Sequence, residues 1–363
     1  MNKPIVIVGQ GIAGSTLALE LIRRGYKPFV LDASWIFGST AAAGGSVHPW
    51  VLSKQRPTWR GLESFETAQR WYRSAEAMLG LRVWHPLSLY RLSPSGKSPG
   101  PSPALASPDT GSMGANSRDA EKHILEDGRI VHAGFGAWLN TRVLVSGIRG
   151  YLARRNMLRT AILGERDINF KDRIISLPGG KTLGYSALVL ATGLQASQGH
   201  GLPWLPPATH LPFYGVLGSI IELYLPELQL PGLIHGPVNI LPIPGTGRIR
   251  IGTTYHREYK DATTPPNDAQ DLCRRAAAIL GGFDAADLFR RIEACWSGIR
   301  PASRDRLPFM GPVPGYENNG VYCFNGLGTR GLLTAPGLAA QLADALGGTD
   351  SLPEDLLPNR GRV

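Results

Sequence analysis

The chain has 363 residues, with 38 Lys and Arg against 28 Asp and Glu, for a formal charge of +10. Its 45 glycines and 29 prolines exceed ordinary usage but stay below the share of low-complexity chains, and 43% hydrophobic residues suffice for a buried core. That excludes a fibrous or disordered chain; no run approaches the about 18 apolar residues of a membrane span, and no cleavable leader pattern follows Met1.

The first predicted strand is Ile5-Val6-Ile7-Val8, an all-apolar run of the buried parallel kind. It leads into Gly9-Gln10-Gly11-Ile12-Ala13-Gly14, then a helix over Thr16 to Arg24 stopped by Gly25, then a second strand, Phe29-Val30-Leu31-Asp32. This βαβ unit carries the dinucleotide fingerprint. Gly9 makes the tight turn, Gly11 admits a pyrophosphate, Gly14 lets helix and strand approach, and Asp32 can accept from a ribose hydroxyl. The helix N-terminus adds donors and a positive dipole end. NAD(P) and FAD share this signature through their common ADP half.

Ser, Pro and Gly fill most of Ser93 to Gly111, so a flexible surface loop is expected at 93–118; a lid is the sharper alternative. Thr141 to Gly164 holds Arg142, Arg149, Arg154, Arg155 and Arg159 and no acid before Gly164, which suggests a basic helix face, either simply solvated or suited to an anionic polymer. Ala187-Leu188-Val189-Leu190-Ala191-Thr192-Gly193 reads as another buried strand ending in a glycine stop. Cys273, Cys295 and Cys323 have no metal-ligand spacing, so no metal is expected, and the three fit a reducing cytoplasm.

The densest stretch runs from Gly298 to Pro312 and continues through Asn325-Gly326-Leu327-Gly328-Thr329-Arg330-Gly331 into a helix expected from about Thr334, with Thr334 as its cap and Pro336 in its first turn. Arg300, flanked by glycine and proline, suits capture of a carboxylate; an ion pair with Asp305 is the plainer reading.

These segments resemble the D-amino-acid oxidase/glycine oxidase (DAO) family of FAD-dependent oxidoreductases. They are more closely similar to the oxidoreductase half of MnmC, the two-part group that modifies the tRNA wobble uridine. The matching residues are Gly298-Ile299-Arg300, Ser303-Arg304-Asp305-Arg306-Leu307-Pro308, Gly328-Thr329-Arg330-Gly331-Leu332 with Ala335-Pro336, and Pro358-Asn359-Arg360. Ile251 to Arg257, Gly136 to Asn140 and Leu52-Ser53-Lys54 match as well. No methyltransferase half is expected, since the chain as read begins at the fingerprint, and Ser39 to Ser46 is nearer to glycine oxidases.

The resemblance implies FAD as cofactor and an α/β architecture: a Rossmann-like FAD-binding domain of the glutathione-reductase type (1–50, 134–195 and 297–363) with a second α+β substrate domain on an antiparallel sheet (51–133 and 196–296). Gly9, Gly11, Ile12, Ala13, Gly14, Asp32 and Ala33 would hold the adenosine end, with Ala191, Thr192 and Gly193 nearby. Ala43, Gly44 and Gly45 would run along the flavin ring. Leu327, Gly328, Thr329, Arg330, Gly331, Leu332 and Leu333 would meet its pyrimidine edge, although Arg330 is equally open to a substrate phosphate or to solvent. His48 would lie near the flavin or simply pack. Arg300 would clamp the substrate carboxylate, and Tyr255, in a strand-like run from Ile249, would reach its other oxygen or simply pack.

The implied reaction removes a carboxymethyl group from an amine. The tRNA-borne 5-carboxymethylaminomethyl-uridine is the first expected substrate, with the methyl transfer left to a separate partner and the +10 charge serving RNA. Free glycine, sarcosine or other small amino acids are the alternative. The expected location is the cytoplasm, with no membrane partner.

Overall fold

A computed structural model describes residues 3–33, 38–54, 56–93, 129–194 and 211–360; the Ser/Pro/Gly-rich loop lies, from residue 94 on, outside them. Two sheets form the frame. The six-stranded sheet has the order Phe309–Pro312, Val321–Asn325, Ala187–Leu190, Ile5–Val8, Phe29–Asp32, Leu158–Thr160. Every pairing in it is parallel except that of the edge strand Phe309–Pro312. Ile5 and Ile7 face the helices Ile12–Arg23 and Gly331–Leu346, whereas Val6 and Val8 pack against the three-stranded sheet built around Ile174–Leu177. Both faces are covered, which is why these strands are apolar at every position rather than at alternate ones.

The eight-stranded sheet runs Ile292–Ser303, Phe213–Tyr224, Arg248–Gly252, Asn239–Ile243, Gly232–His235, Trp84–Ser93, Arg129–Leu139, Ser46–Val47. It is antiparallel except where Gly232–His235 lies parallel to Trp84–Ser93. Here the alternation of residues positions the site. Ile249 and Ile251 pack on the helices Asp268–Ala277 and Ala285–Arg290, while Arg250 and Gly252 face the other way, into a cavity. Sheet membership cuts across the expected division of the chain: Ser46–Val47, all of Arg129–Leu139 and all of Ile292–Ser303 belong to this second sheet, drawn there by pairing with distant strands.

Three local expectations are corrected. The first helix begins at Ile12, not Thr16, because the Ile12 amide donates to Thr40 Oγ1 at 2.9 Å. The strand expected through Tyr255 ends at Gly252. The last helix begins at Gly331, so Thr334 does not cap it; its hydroxyl donates to the Arg330 carbonyl. Pro336 therefore lies inside the helix and cannot donate to the Leu332 carbonyl. Tyr72 Oη donates to that carbonyl instead, at 2.8 Å.

Candidate active site

The two sheets meet over a cavity of about 1650 Å³. Small-molecule pockets usually span about 300–1,000 Å³, so this one has room for a dinucleotide and a second, smaller molecule. Its first wall is the fingerprint. A Cβ on Gly9, whose φ is +102°, would lie 2.4 Å from the Ala191 carbonyl oxygen, and one on Gly14 would lie 1.9 Å from the Gly9 oxygen. The turn therefore closes only with glycine, as a dinucleotide cradle requires. Residues 9–13 and Asp32 lie on the wall, Gly14 sits behind against Gly9, and Ala33 is off the wall. The Asp32 carboxylate accepts from the Gln10 amide at 3.0 Å and from Arg149 Nη1 at 2.8 Å.

Arg149 belongs to a helix, Thr141–Arg154, that turns Arg142, Val145, Ser146 and Arg149 to the cavity at i, i+3, i+4, i+7 spacing. The expected basic face is thus divided: Arg149 is taken up by the site, while Arg154 and Arg155 stay exposed. Arg142 donates to the Ala41 carbonyl and lies over Trp296, Arg155 lies over Tyr151, and Arg159 donates to the Pro178 carbonyl.

The second wall gathers the remaining expected cofactor residues. Ala43, Gly44 and Gly45 line the cavity together with residues 191–193 at the end of Ala187–Leu190 and residues 327–333 at the start of the last helix. Arg330, half-buried on the cavity wall, donates to the carbonyls of His48 at 3.2 Å and Trp50 at 2.9 Å, strapping the two segments together. Burial pulls its guanidinium below the usual range, against the pull of Tyr255. His48 sits at the cavity edge, densely surrounded, and its Nδ1 accepts from the Trp50 amide. Burial, then Arg330 and His235, push its imidazole down to about 3, so it is neutral.

The third wall is the second sheet, and it carries Arg300. One Nη donates to Thr253 Oγ1 at 2.5 Å; the other Nη is buried with no hydrogen-bond partner. Asp305, the plainer partner, is paired with Arg360 instead at 2.7 Å. The Arg300 guanidinium carbon lies 5.0 Å from the ring of Tyr255, which is 66% exposed on a loop rather than packed in a strand. Burial lowers the Arg300 pKa and Tyr255 opposes that. A buried cation with one unsatisfied donor is a receptor for an anion.

Asp268, buried at the start of its helix, holds the loop in place. Its carboxylate accepts from Ser219 Oγ at 2.5 Å and Thr254 Oγ1 at 2.7 Å, and His256 Nε2 lies 2.9 Å away. Thr253, Gly218, Asp268 and Arg149 were not singled out for the site from the sequence. Only Gly218 carries a local signal, a glycine inside a strand that marks a close approach.

Residues 4–345 match the profile of the family described as DAO, FAD dependent oxidoreductase. Among curated proteins, the glycine oxidase of Pseudomonas aeruginosa is 24% identical over 97% of each chain. Among solved structures, the iminodiacetate oxidase of Chelativorans sp. BNC1 aligns over 98% of each chain with a TM-score of 0.74 at 20% identity. The glycine oxidase of Bacillus cereus aligns over 96% of each chain, with a TM-score of 0.73 at 19% identity. Nothing in these likenesses points to tRNA or to a methyltransferase partner. Among the described residues no helix is long and apolar enough to cross a membrane, and no cluster of acidic, histidine and cysteine residues could hold a metal ion.

Proposed function

Since the chain belongs to the DAO family of FAD-dependent oxidoreductases, we propose that it oxidises a small carboxylate-bearing amine, an α-amino acid or an N-substituted glycine, at the carbon between amine and carboxylate. The observation that carries this reading is the buried Arg300 guanidinium with one Nη on Thr253 and the other unpartnered. The cradle of Gly9, Gly11 and Gly14 with Asp32 would hold the adenosine end of FAD, and residues 43–45 and 327–333 would hold its ring end. When bound, FAD supplies a two-electron acceptor.

The chain's own residues bind and orient. Arg300 would take the substrate carboxylate and fix the adjacent carbon in place, a positioning effect worth several kcal/mol. The positive field of Arg300 and Arg330 disfavours an ammonium nearby, so it favours the neutral amine that oxidation requires. A Cα–H bond then breaks with its electron pair leaving as hydride, the nitrogen lone pair forms C=N, and the amine proton departs. Water adds to that imine carbon and the C–N bond breaks; from a glycine unit the products are glyoxylate and the shortened amine.

The reading is tested by incubating the yellow holoenzyme with glycine, sarcosine and iminodiacetate and following flavin bleaching without oxygen and glyoxylate release with it. Bleaching by at least one of them is expected. If none bleaches the flavin, while tRNA carrying the carboxymethylaminomethyl group loses it by nucleoside mass spectrometry, the substrate is RNA-borne.

A further inference from the structure

A cross-strand row of the second sheet runs from Trp296 through Ile220, Gly252 and Asn239 to His235, each directly paired with the next. All five residues line the cavity. Thr253, which holds Arg300, follows Gly252 in the chain. Neighbouring strands lie about 4.8 Å apart, so Asn239 and His235 stand one and two strands, roughly 5 and 10 Å, from Gly252, the residue before Thr253. Glycine or sarcosine held at Arg300 would not span that distance.

The far group has a defined hydrogen-bonding pattern. His235 Nδ1 lies 2.8 Å from Asn239 Oδ1, and an amide oxygen only accepts, so Nδ1 carries the proton. In the neutral imidazole that leaves His235 Nε2 as an acceptor; Asn239 Nδ2 is a donor, and neither has another partner among the described residues. His48 lines the same cavity within electrostatic reach of His235; its Nδ1 accepts from the Trp50 amide, so its Nε2–H is a second donor. Two donors and one acceptor complement a carboxamide, whose oxygen accepts twice and whose nitrogen donates. A carboxylate tail would face the His235 lone pair. An ammonium tail would meet two donors and Arg330, with no carboxylate among these three residues.

Resting on the proposed oxidation at Arg300, we propose that His48, His235 and Asn239 form a distal subsite that selects an amine substrate with an uncharged carboxamide at the end of its tail. The fitting class is an N-substituted glycine or amino acid whose tail places the amide about five bonds from the carboxylate carbon.

Steady-state oxidation by the holoenzyme would compare sarcosine, N-(2-carbamoylethyl)glycine, its hydrocarbon isostere N-(3-methylbutyl)glycine and N-(2-carboxyethyl)glycine. The carbamoyl compound is expected to exceed the isostere in kcat/KM by at least about tenfold, the value of two net hydrogen bonds. In Asn239→Asp and Asn239→Leu, compared at equal flavin content, that ratio should fall toward one. An isostere oxidised as well as the amide, a preferred carboxylate tail, or a ratio unmoved in both variants overturns the subsite. Sarcosine separates the two claims: if it is oxidised while the amide gives no advantage, only the subsite fails, and if neither these N-substituted glycines nor glycine and other α-amino acids react, the oxidation at Arg300 fails with it.

Discussion

The guanidinium of Arg300 lies against Gly218 so closely that a methyl group there would sit 2.4 Å from Nη2 and 2.5 Å from Nη1. The same methyl would come within 2.6 Å of Thr253 Oγ1. Glycine at 218 is thus a condition for the Arg300–Thr253 pair, not a matter of strand conformation. Gly218→Ala should push the guanidinium off Thr253 and raise KM for an amino-acid substrate by tenfold or more. Strand pairing at 218 with Gly298 persists, so melting temperature and flavin content should change little. An unchanged KM would show that the clamp tolerates the shift.

Arg300→Lys keeps the charge but loses the planar fork that reaches Thr253 and a ligand together. Losing one partner of a buried charge-assisted pair costs about 2–5 kcal/mol, or roughly 30-fold to several thousand-fold in KM. FAD should remain bound, as read from the absorbance of the purified variant. If Arg300→Lys and Arg300→Ala both keep the wild-type KM, the carboxylate is held elsewhere.

Asp268 acts on the clamp at one remove. With Asp268→Asn, the hydroxyls of Ser219 and Thr254 and the ring of His256 lose a shared anionic acceptor, and the 253–256 loop loses its anchor. KM should rise severalfold with kcat within about twofold, because the reacting carbon is still placed whenever the substrate binds. A purely structural role would instead lower stability by about 1–3 kcal/mol and leave the KM of the folded fraction intact.

His48 makes a pH prediction. Its imidazole is pushed from the usual 6.5 down to about 3, first by burial and then by Arg330 and His235. Between those values the unfolded chain binds a proton that the folded one does not. The His48 contribution is therefore intact above pH 6.5 and is lost as pH falls toward 3, with a slope of up to about 1.4 kcal/mol per pH unit. His48→Asn removes this titration. Urea midpoints at pH 7.5 and pH 5 should differ less in the variant than in the wild type; equal differences would mean His48 titrates normally.

What could be seen in the sequence was what depends on near neighbours along the chain. Gly9, Gly11 and Gly14 are required by a single turn, and Ile5 to Val8 announces a strand covered on both faces. Arg300 stood out through its glycine and proline neighbours, but Thr253 did not. Its partnership needs three strands to be laid side by side, 47 residues apart in chain. The role of Arg149 within the basic stretch is hidden for the same reason: it pairs with Asp32, 117 residues distant. A cap rule placed the last helix start at Thr334, whereas a tyrosine 260 residues from Leu332 permits the earlier one.

That tyrosine supports a test of coupling. Inside the Gly331–Leu346 helix, Pro336 leaves the Leu332 carbonyl without its helical donor, and Tyr72 Oη supplies one at 2.8 Å from a fully buried position. Tyr72→Phe should strand that carbonyl and cost about 1–3 kcal/mol. Pro336→Ala restores an amide that competes for the same oxygen, so on its own it should displace the phenol and gain little. In the double variant the new amide meets the Leu332 carbonyl and no phenol needs a partner. The two changes together should therefore cost less than Tyr72→Phe alone, with a coupling of about 1 kcal/mol or more in a double-mutant cycle of urea midpoints. Strict additivity would mean that the hydroxyl does not serve the carbonyl that proline leaves open.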